Sequence, residues 1–347
     1  MTTISQKFIA KKKNRLRQAA TFPIAMTWTR SIIITGGTAN LGYHAAAAIA
    51  KAHPDFLVVL SSRSDNDRAA ETINKSLGQN NTVFIPLDLS SLESIRTYCK
   101  QWVSEQRPPV QALVLNAGLQ FPGGLTKTAD GLESTFAINH VGHALLFHLL
   151  WPHLAEGARI VLTSSGTHDP DQKTGLPDAI YTSAEDLAHP PASMVEVPGR
   201  QRYASSKLAN VLWTYALDRR LARRKDTRAV TVNAFDQGMM PGTGLAREAS
   251  GVVRFLWLRV LPHILPLLRV AVSPNIHAPA ESGAALANLV VGKDVSGQSG
   301  KYYEGTREIR SSKDSYDESK QEDLWRWTAQ YLASSEDERS RFETLTE

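Results

Sequence analysis

The chain has little cysteine, and its first thirty residues have no acid. Among 347 residues there is a single thiol, Cys99. One thiol excludes an internal disulfide framework and any Cys-rich zinc site, and it fits a reducing compartment, read here as cytoplasmic. Apolar runs long enough for a secretory signal are also missing from the N terminus. Residues 1–30 carry Lys7, Lys11, Lys12, Lys13, Arg15, Arg17 and Arg30 against no carboxylate. This leader reads as a disordered extension, with a mitochondrial presequence as the alternative. No His-x-x-x-His pair with a suitable carboxylate occurs, so no metal site is expected. The net charge of +5 is mild and sits partly in the leader, which argues against a nucleic-acid groove. What remains is an ordinary soluble composition, 42% hydrophobic and 21% charged, ample for a core.

From residue 31 a rhythm sets in. Ser31–Thr35 is a β-branched apolar run that breaks at Gly36-Gly37 and gives way to an Ala-rich helix near Leu41. A strand, a tight Gly turn and a helix N-terminus form the arrangement that receives a pyrophosphate, here Thr35-Gly36-Gly37-Thr38-Ala39-Asn40-Leu41-Gly42. A second strand, 56–60, ends in Ser61-Ser62-Arg63. At that tip a carboxylate binds the ribose 2′-hydroxyl of NAD, whereas an Arg accommodates the 2′-phosphate of NADP. Arg63 therefore favours NADP. Strands at 82–87, 112–115 and 159–163 follow, running into Asp88-Leu89, Asn116-Ala117-Gly118 and Ser164-Ser165. Such alternation predicts an α/β fold, a single doubly wound parallel sheet of Rossmann type, with ligands at the carboxyl ends of the strands.

A helix over Gly131–Leu150 carries a polar Asn139, which needs a partner or a purpose inside an apolar pattern. His140 and His143 beside it read as packed or solvated rather than as ligands. Further on, Tyr203 and Lys207 lie four apart in a helical stretch, on one face and one turn apart. A cation there should lower the phenol's pKa and let it exchange a proton with a carbonyl or alcohol oxygen. By itself this spacing is weak, since many solvated helices have it.

Taken together and in this order, Thr35-Gly36…Gly42, Asp88-Leu89, Asn116-Ala117-Gly118, Asn139, Ser164-Ser165 and Tyr203…Lys207 resemble the short-chain dehydrogenase/reductase family over about residues 31–310. The phrases Asn139–His143 and Ser206–Asn210 resemble its retinol dehydrogenase and protochlorophyllide reductase branch. The resemblance implies Tyr203 as acid/base, Lys207 supporting it and the nicotinamide ribose, Ser165 holding the substrate oxygen, and Asn139 positioning a water that relays protons to Lys207. It also implies cofactor contacts from Gly36, Thr38, Asn40, Leu41, Gly42, Arg63, Asp88, Leu89, Asn116, Ala117, Gly118, Gly238 and Thr243. A homo-oligomer through the helices after the fourth and fifth strands is implied as well. Two departures stand out. Asn40 replaces a usual glycine, in a position where Asn tolerates the left-handed region. Asp236-Gln237-Gly238 replaces Pro-Gly, which should loosen a loop near the nicotinamide.

Thirty-eight positions separate Ser165 from Tyr203, a longer stretch than is usual in the family. This Pro-rich, mostly acidic segment should shape the substrate pocket. Residues 252–272 are apolar but hold Arg254, Arg259, Arg269, Pro262 and Pro266, which makes a membrane span costly. They read as a lid over the site or as a helix at a membrane surface, giving possible peripheral membrane contact. Residues 311–347 form a charged tail with a docked helix around Trp325 and Trp327. The expectation is an NADP(H)-dependent oxidoreductase acting on a bulky apolar carbonyl or alcohol. The alternatives are a non-catalytic dinucleotide sensor and a protochlorophyllide-reductase-like enzyme.

Overall fold

The computed structural model describes residues 28–224, 228–243 and 251–346. The basic leader up to residue 27 and Gly244 lie outside the described residues. Eight strands form one sheet: β1 (Arg30–Thr35), β2 (Phe56–Ser62), β3 (Thr82–Pro86), β4 (Val110–Leu115), β5 (Leu154–Thr163), β6 (Thr231–Asp236), β7 (Lys301–Glu304) and β8 (Arg307–Ile309). Their order is β3-β2-β1-β4-β5-β6-β7-β8, parallel throughout except for the terminal β7–β8 pair. The antiparallel β8 was not read from the sequence, because three residues are too few to show a period.

Burial on both sheet faces explains why the strands are continuous apolar runs. Ile32 and Ile34 point into one core, closed by α1 (Asn40–Ala52), α2 (Ala69–Leu77) and, from the far end of the chain, α8 (Pro279–Val291). Ile33 points into the other, closed by α3 (Leu92–Ser104), α4 (Gly142–Leu150), α5 (Gly199–Arg223) and the C-terminal helices α9 (Glu318–Leu332) and α10 (Glu336–Thr344). Helical structure in the Asn139 region begins at Ser134 rather than Gly131. It includes a π-turn over Ala137–Val141 before α4 begins. A turn of this kind often marks a functional position within a helix.

The C-terminal segment packs on two parts of the molecule. Trp325 of α9 is buried and stacks on Trp213 of α5 at 5.6 Å between centroids, and Phe342 of α10 stacks on His148 of α4 at 4.5 Å. These are the helices after β5 and β4 that the resemblance assigns to an oligomer interface. The chain's own C-terminal helices pack on them. α9 also fastens the long segment before Tyr203. Asp323 accepts from the Tyr181 hydroxyl and the Ala184 amide, both at 2.8 Å, and the Trp327 indole donates to Glu185 at 2.6 Å.

Candidate active site

The carboxyl ends of β1–β6 open on a single cleft of about 760 Å³. At one end lie Gly36 and the first turn of α1. Gly36 adopts φ +65° and Asn40 φ +48°, so both stand in the left-handed region that the turn requires. A β-carbon on Gly42 would sit 2.3 Å from the Gly36 carbonyl oxygen, so only glycine allows helix and turn to meet. The N-terminus of α1 has no side-chain cap and no acid in its first turn. Its free backbone N–H groups face the cleft, where an anion is favoured.

At the tip of β2 the cleft is lined by Ser61, Ser62, Arg63 and Ser64, with Thr38 donating to Ser62 at 3.1 Å. Arg63 is exposed and has no ion pair among the described residues. The nearest acid in sequence, Asp65, accepts from the amides of Ala69 and Ala70 at 2.6 and 3.3 Å, which commits it to starting α2. No carboxylate of β2 is therefore presented to a ribose. Asp88 lines the cleft while accepting from the Ser90 amide and hydroxyl at 2.9 and 2.7 Å. Leu89, Ala117, Gly118 and Thr243 also line it. Gly238, at φ +70°, turns the chain just beyond β6.

Asn116 lines the cleft, but its side chain ties the sheet together. Its amide donates to Thr35 O at 2.8 Å and its oxygen accepts from Thr163 at 3.3 Å, joining β1, β4 and β5 at their tips. Asn139 is similarly occupied: its amide group exchanges bonds with Leu119 N and O at 2.8 and 3.0 Å and donates to Ser206 at 2.9 Å. These bonds make it a clamp that holds the 116–119 turn beside α5. His143 supports the same turn, with its ring between Thr35 Oγ1 at 2.8 Å and Asn139 O at 3.1 Å. Burial lowers the His143 pKa to about 4 and that of His140 to about 3, so both rings are packed and neutral.

Tyr203 and Lys207 close the other end of the cleft. The ammonium lies 5.5 Å from the phenol ring centroid and donates to Thr163 O at 2.9 Å. A β-carbon on Gly118 would approach Lys207 Nζ to 3.3 Å and Asn139 Oδ1 to 3.5 Å, so the 116–119 turn lies directly on the pair. The side chains of Ser165 and Gln237 lie near the Tyr203 hydroxyl and act to lower its pKa. The sequence expectation of a lowered phenol pKa is reversed: burial first, and the nearby Asp236 carboxylate second, push Tyr203 up to about 12. Burial raises it because the phenolate would lose its hydration. The same burial brings Lys207 down to about 8, with Asp236 opposing it.

Two supports of the site were not recognised from the sequence. Asp236, 1% exposed, accepts from Gly238 N at 2.9 Å and from Asn275 Nδ2 at 3.0 Å. Replacing Pro-Gly thus tightens this loop instead of loosening it. His168 is fully buried: its Nε2 accepts from Ser312 N at 3.0 Å, so its Nδ1–H donates to Ser165 O at 2.7 Å. It braces the Ser165 turn from behind. The long segment before Tyr203 contributes only Leu176 and Arg200 to the cleft, and its Tyr181–Glu185 part is fastened to α9. Cys99, buried on α3 and pushed up to about 12, is away from the cleft. Among the described residues no cluster of His, Cys, Asp or Glu could hold a metal ion.

Residues 30–177 match the family described as short chain dehydrogenase, and residues 246–340 match one described as AcuH dehydrogenase domain. The chain is 30% identical over 308 residues to retinol dehydrogenase 14 of Mus musculus, covering 85% of this chain and 84% of that protein. It is 29% identical over 300 residues to polyprenol dehydrogenase of Danio rerio, covering 85% and 84%. A crystal structure of a protein from Mycobacterium Paratuberculosis superposes with TM-score 0.60 at 23% identity, over 87% of this chain and 93% of that one, a likeness of fold.

Proposed function

The chain belongs to the short-chain dehydrogenase/reductase family, in its retinol dehydrogenase-like branch, and from that premise we propose an NADP(H)-dependent reductase of a bulky apolar carbonyl compound, or the reverse alcohol dehydrogenase. One observation carries the proposal. A single cleft runs from the uncapped α1 N-terminus and Arg63 to Tyr203 and Lys207, so an anionic dinucleotide and the proton-transfer pair share one space. The residues present suit the cofactor: backbone N–H groups for the diphosphate, and an exposed Arg63 with three serines for a 2′-phosphate. When bound, it supplies the hydride.

The protein's own part is proton transfer and positioning. With its pKa near 12, Tyr203 keeps its proton throughout the neutral range and is ready to donate it to a carbonyl oxygen. Ser165, braced by His168, holds that oxygen beside the phenol. Lys207 remains an ammonium below about pH 8 and stabilises the negative charge that develops on Tyr203. Asn139 keeps the 116–119 turn closed over Lys207. On the substrate side Leu119, Pro122, Leu176, Met239, Val253 and Trp257 make the cleft apolar. Retinol and polyprenol, in the names of two relatives, are likewise alcohols on long hydrocarbon skeletons.

The test is oxidation of NADPH with long-chain aldehydes and ketones, by the full chain and two variants. Tyr203→Phe should bind NADPH normally and lose about 10²–10⁴-fold in kcat. Arg63→Ala should weaken NADPH much more than NADH. A fully active Tyr203→Phe would overturn the mechanism, and equal losses for both cofactors would overturn the NADP assignment. Tight NADPH binding without turnover of any carbonyl would favour a sensor.

A further inference from the structure

The segment that borders the cleft on its open side has an outer face without a partner. It spans residues 251–272 and includes α6 (Gly251–His263) and α7 (Leu265–Ala271), two helices meeting at 98°. Among the described residues twelve large apolar side chains are exposed, and eight of them lie here. They include Val252 at 73%, Phe255 at 60%, Leu267 at 64%, Val270 at 89% and Val272 at 64%. A soluble surface seldom gathers so many in one patch.

The segment is nonetheless firmly attached. The Trp257 indole donates to Thr243 O at 3.0 Å, Gly242 N donates to Trp257 O at 2.9 Å, and Arg269 Nε donates to Ile276 O at 2.7 Å. Val253 and Trp257 line the cleft. One side of this angled pair is therefore part of the site, and the other is open. Residues 251–280 contain no acid, while Arg254 and Arg259 are exposed without an ion pair among the described residues. No single described helix is long and apolar enough to cross a membrane, and the right-angled bend with its arginines argues against the pair doing so together.

We propose that the outer face of α6 and α7 docks the protein on a bilayer containing anionic phospholipid, with its apolar side chains in the headgroup–acyl boundary and the cleft opening beside the lipid. The chemistry is that of an interfacial amphipathic element: apolar area drives insertion and exposed arginines select a negative surface. A second copy of the chain fits less well, because a two-fold contact would bring the same arginines together. Docking stands independently of the oxidoreductase reading. Only the corollary, that an apolar substrate enters the cleft from the bilayer, rests on it.

The experiment is flotation of the full chain with vesicles of phosphatidylcholine alone and with about one third phosphatidylserine. The native chain should float with the serine-containing vesicles, and Phe255→Asp/Val270→Asp should bind at least about tenfold more weakly with an unchanged melting temperature. Arg254→Gln/Arg259→Gln should lose the preference for the anionic vesicles. The proposal is overturned if the native chain fails to float. It is also overturned if the acidic variant floats equally well, which would assign attachment to the basic leader. A face that self-associates in solution and binds neither vesicle would likewise overturn it. Because no turnover is measured, failure here leaves the catalytic proposal untouched, and failure of catalysis leaves docking untouched.

Discussion

Two segments after the sixth strand invert what their compositions suggest. Residues 318–344 are dense in charge, yet α9 and α10 are docked on the core. Residues 251–272 are rich in Leu and Val, yet much of their apolar surface faces outward. In the charged segment a few aromatic side chains supply the burial. Trp325 lies between the Trp213 ring and the Arg220 guanidinium, 4.2 Å above its own ring, and the charges around it are paired. Arg220 and Arg219 hold Glu322, and Arg96 grips Glu338 through both oxygens at 2.9 and 2.8 Å. In the apolar segment the arginines have few partners, and only the side toward the cleft finds protein to cover it. The difference teaches that burial follows from which surface a segment meets, and only secondarily from its mean polarity.

The comparison can be broken most forcefully at Trp325. Trp325→Ala should destabilise the fold by about 3–5 kcal/mol, measured by urea unfolding, because it opens a cavity against Trp213 in the main core. A loss under about 1 kcal/mol would mean that α9 is not part of the cooperative unit. A smaller effect is expected at the ion pair. Glu338→Gln should cost about 1–3 kcal/mol by the same measurement. Burial pushes the Glu338 carboxyl up, but Arg96 and Ser334 outweigh it and hold the pKa at about 2. The stabilisation is therefore full above the ordinary value of 4.5, fades as pH falls toward 2, and should be missing from the variant's acid-unfolding curve. The smallest effect sharpens the contrast: Val270→Ser, at an 89% exposed site, should change stability by no more than about 0.5 kcal/mol. A larger loss would reveal a protein partner for this face in solution.

Much of the site was legible in the sequence because its parts lie at the ends of short periodic elements. The Gly36 turn, Arg63, Asp88, Asn116 and Ser165 each follow a recognisable strand, and a doubly wound sheet aligns such ends whatever their separation along the chain. Tyr203 and Lys207 come together through helical spacing alone. The duties of some of these side chains were harder to read. The side chains of Asn116 and Asn139 hydrogen-bond the cleft wall, each meeting backbone from distant strands and turns. His168 could not be singled out at all, because its role depends on Ser312, 144 residues away. The acidic segment before Tyr203 looked like pocket wall, and only the arrival of α9 shows where its Tyr181–Glu185 part packs.

The sequence by itself determined the alternation of strands and helices, the glycine turn under the dinucleotide site and the four-residue step between Tyr203 and Lys207. These are local: neighbours along the chain and the two regular periods are enough to define them. Tertiary structure alone decided that Tyr203 is pushed up rather than down, that Asp236 tightens the loop it was expected to loosen, that the C terminus covers the faces of α4 and α5, and that α6 and α7 are left open. Each of these depends on desolvation or on contact between segments remote in sequence, and no local pattern encodes how much water a side chain loses on folding.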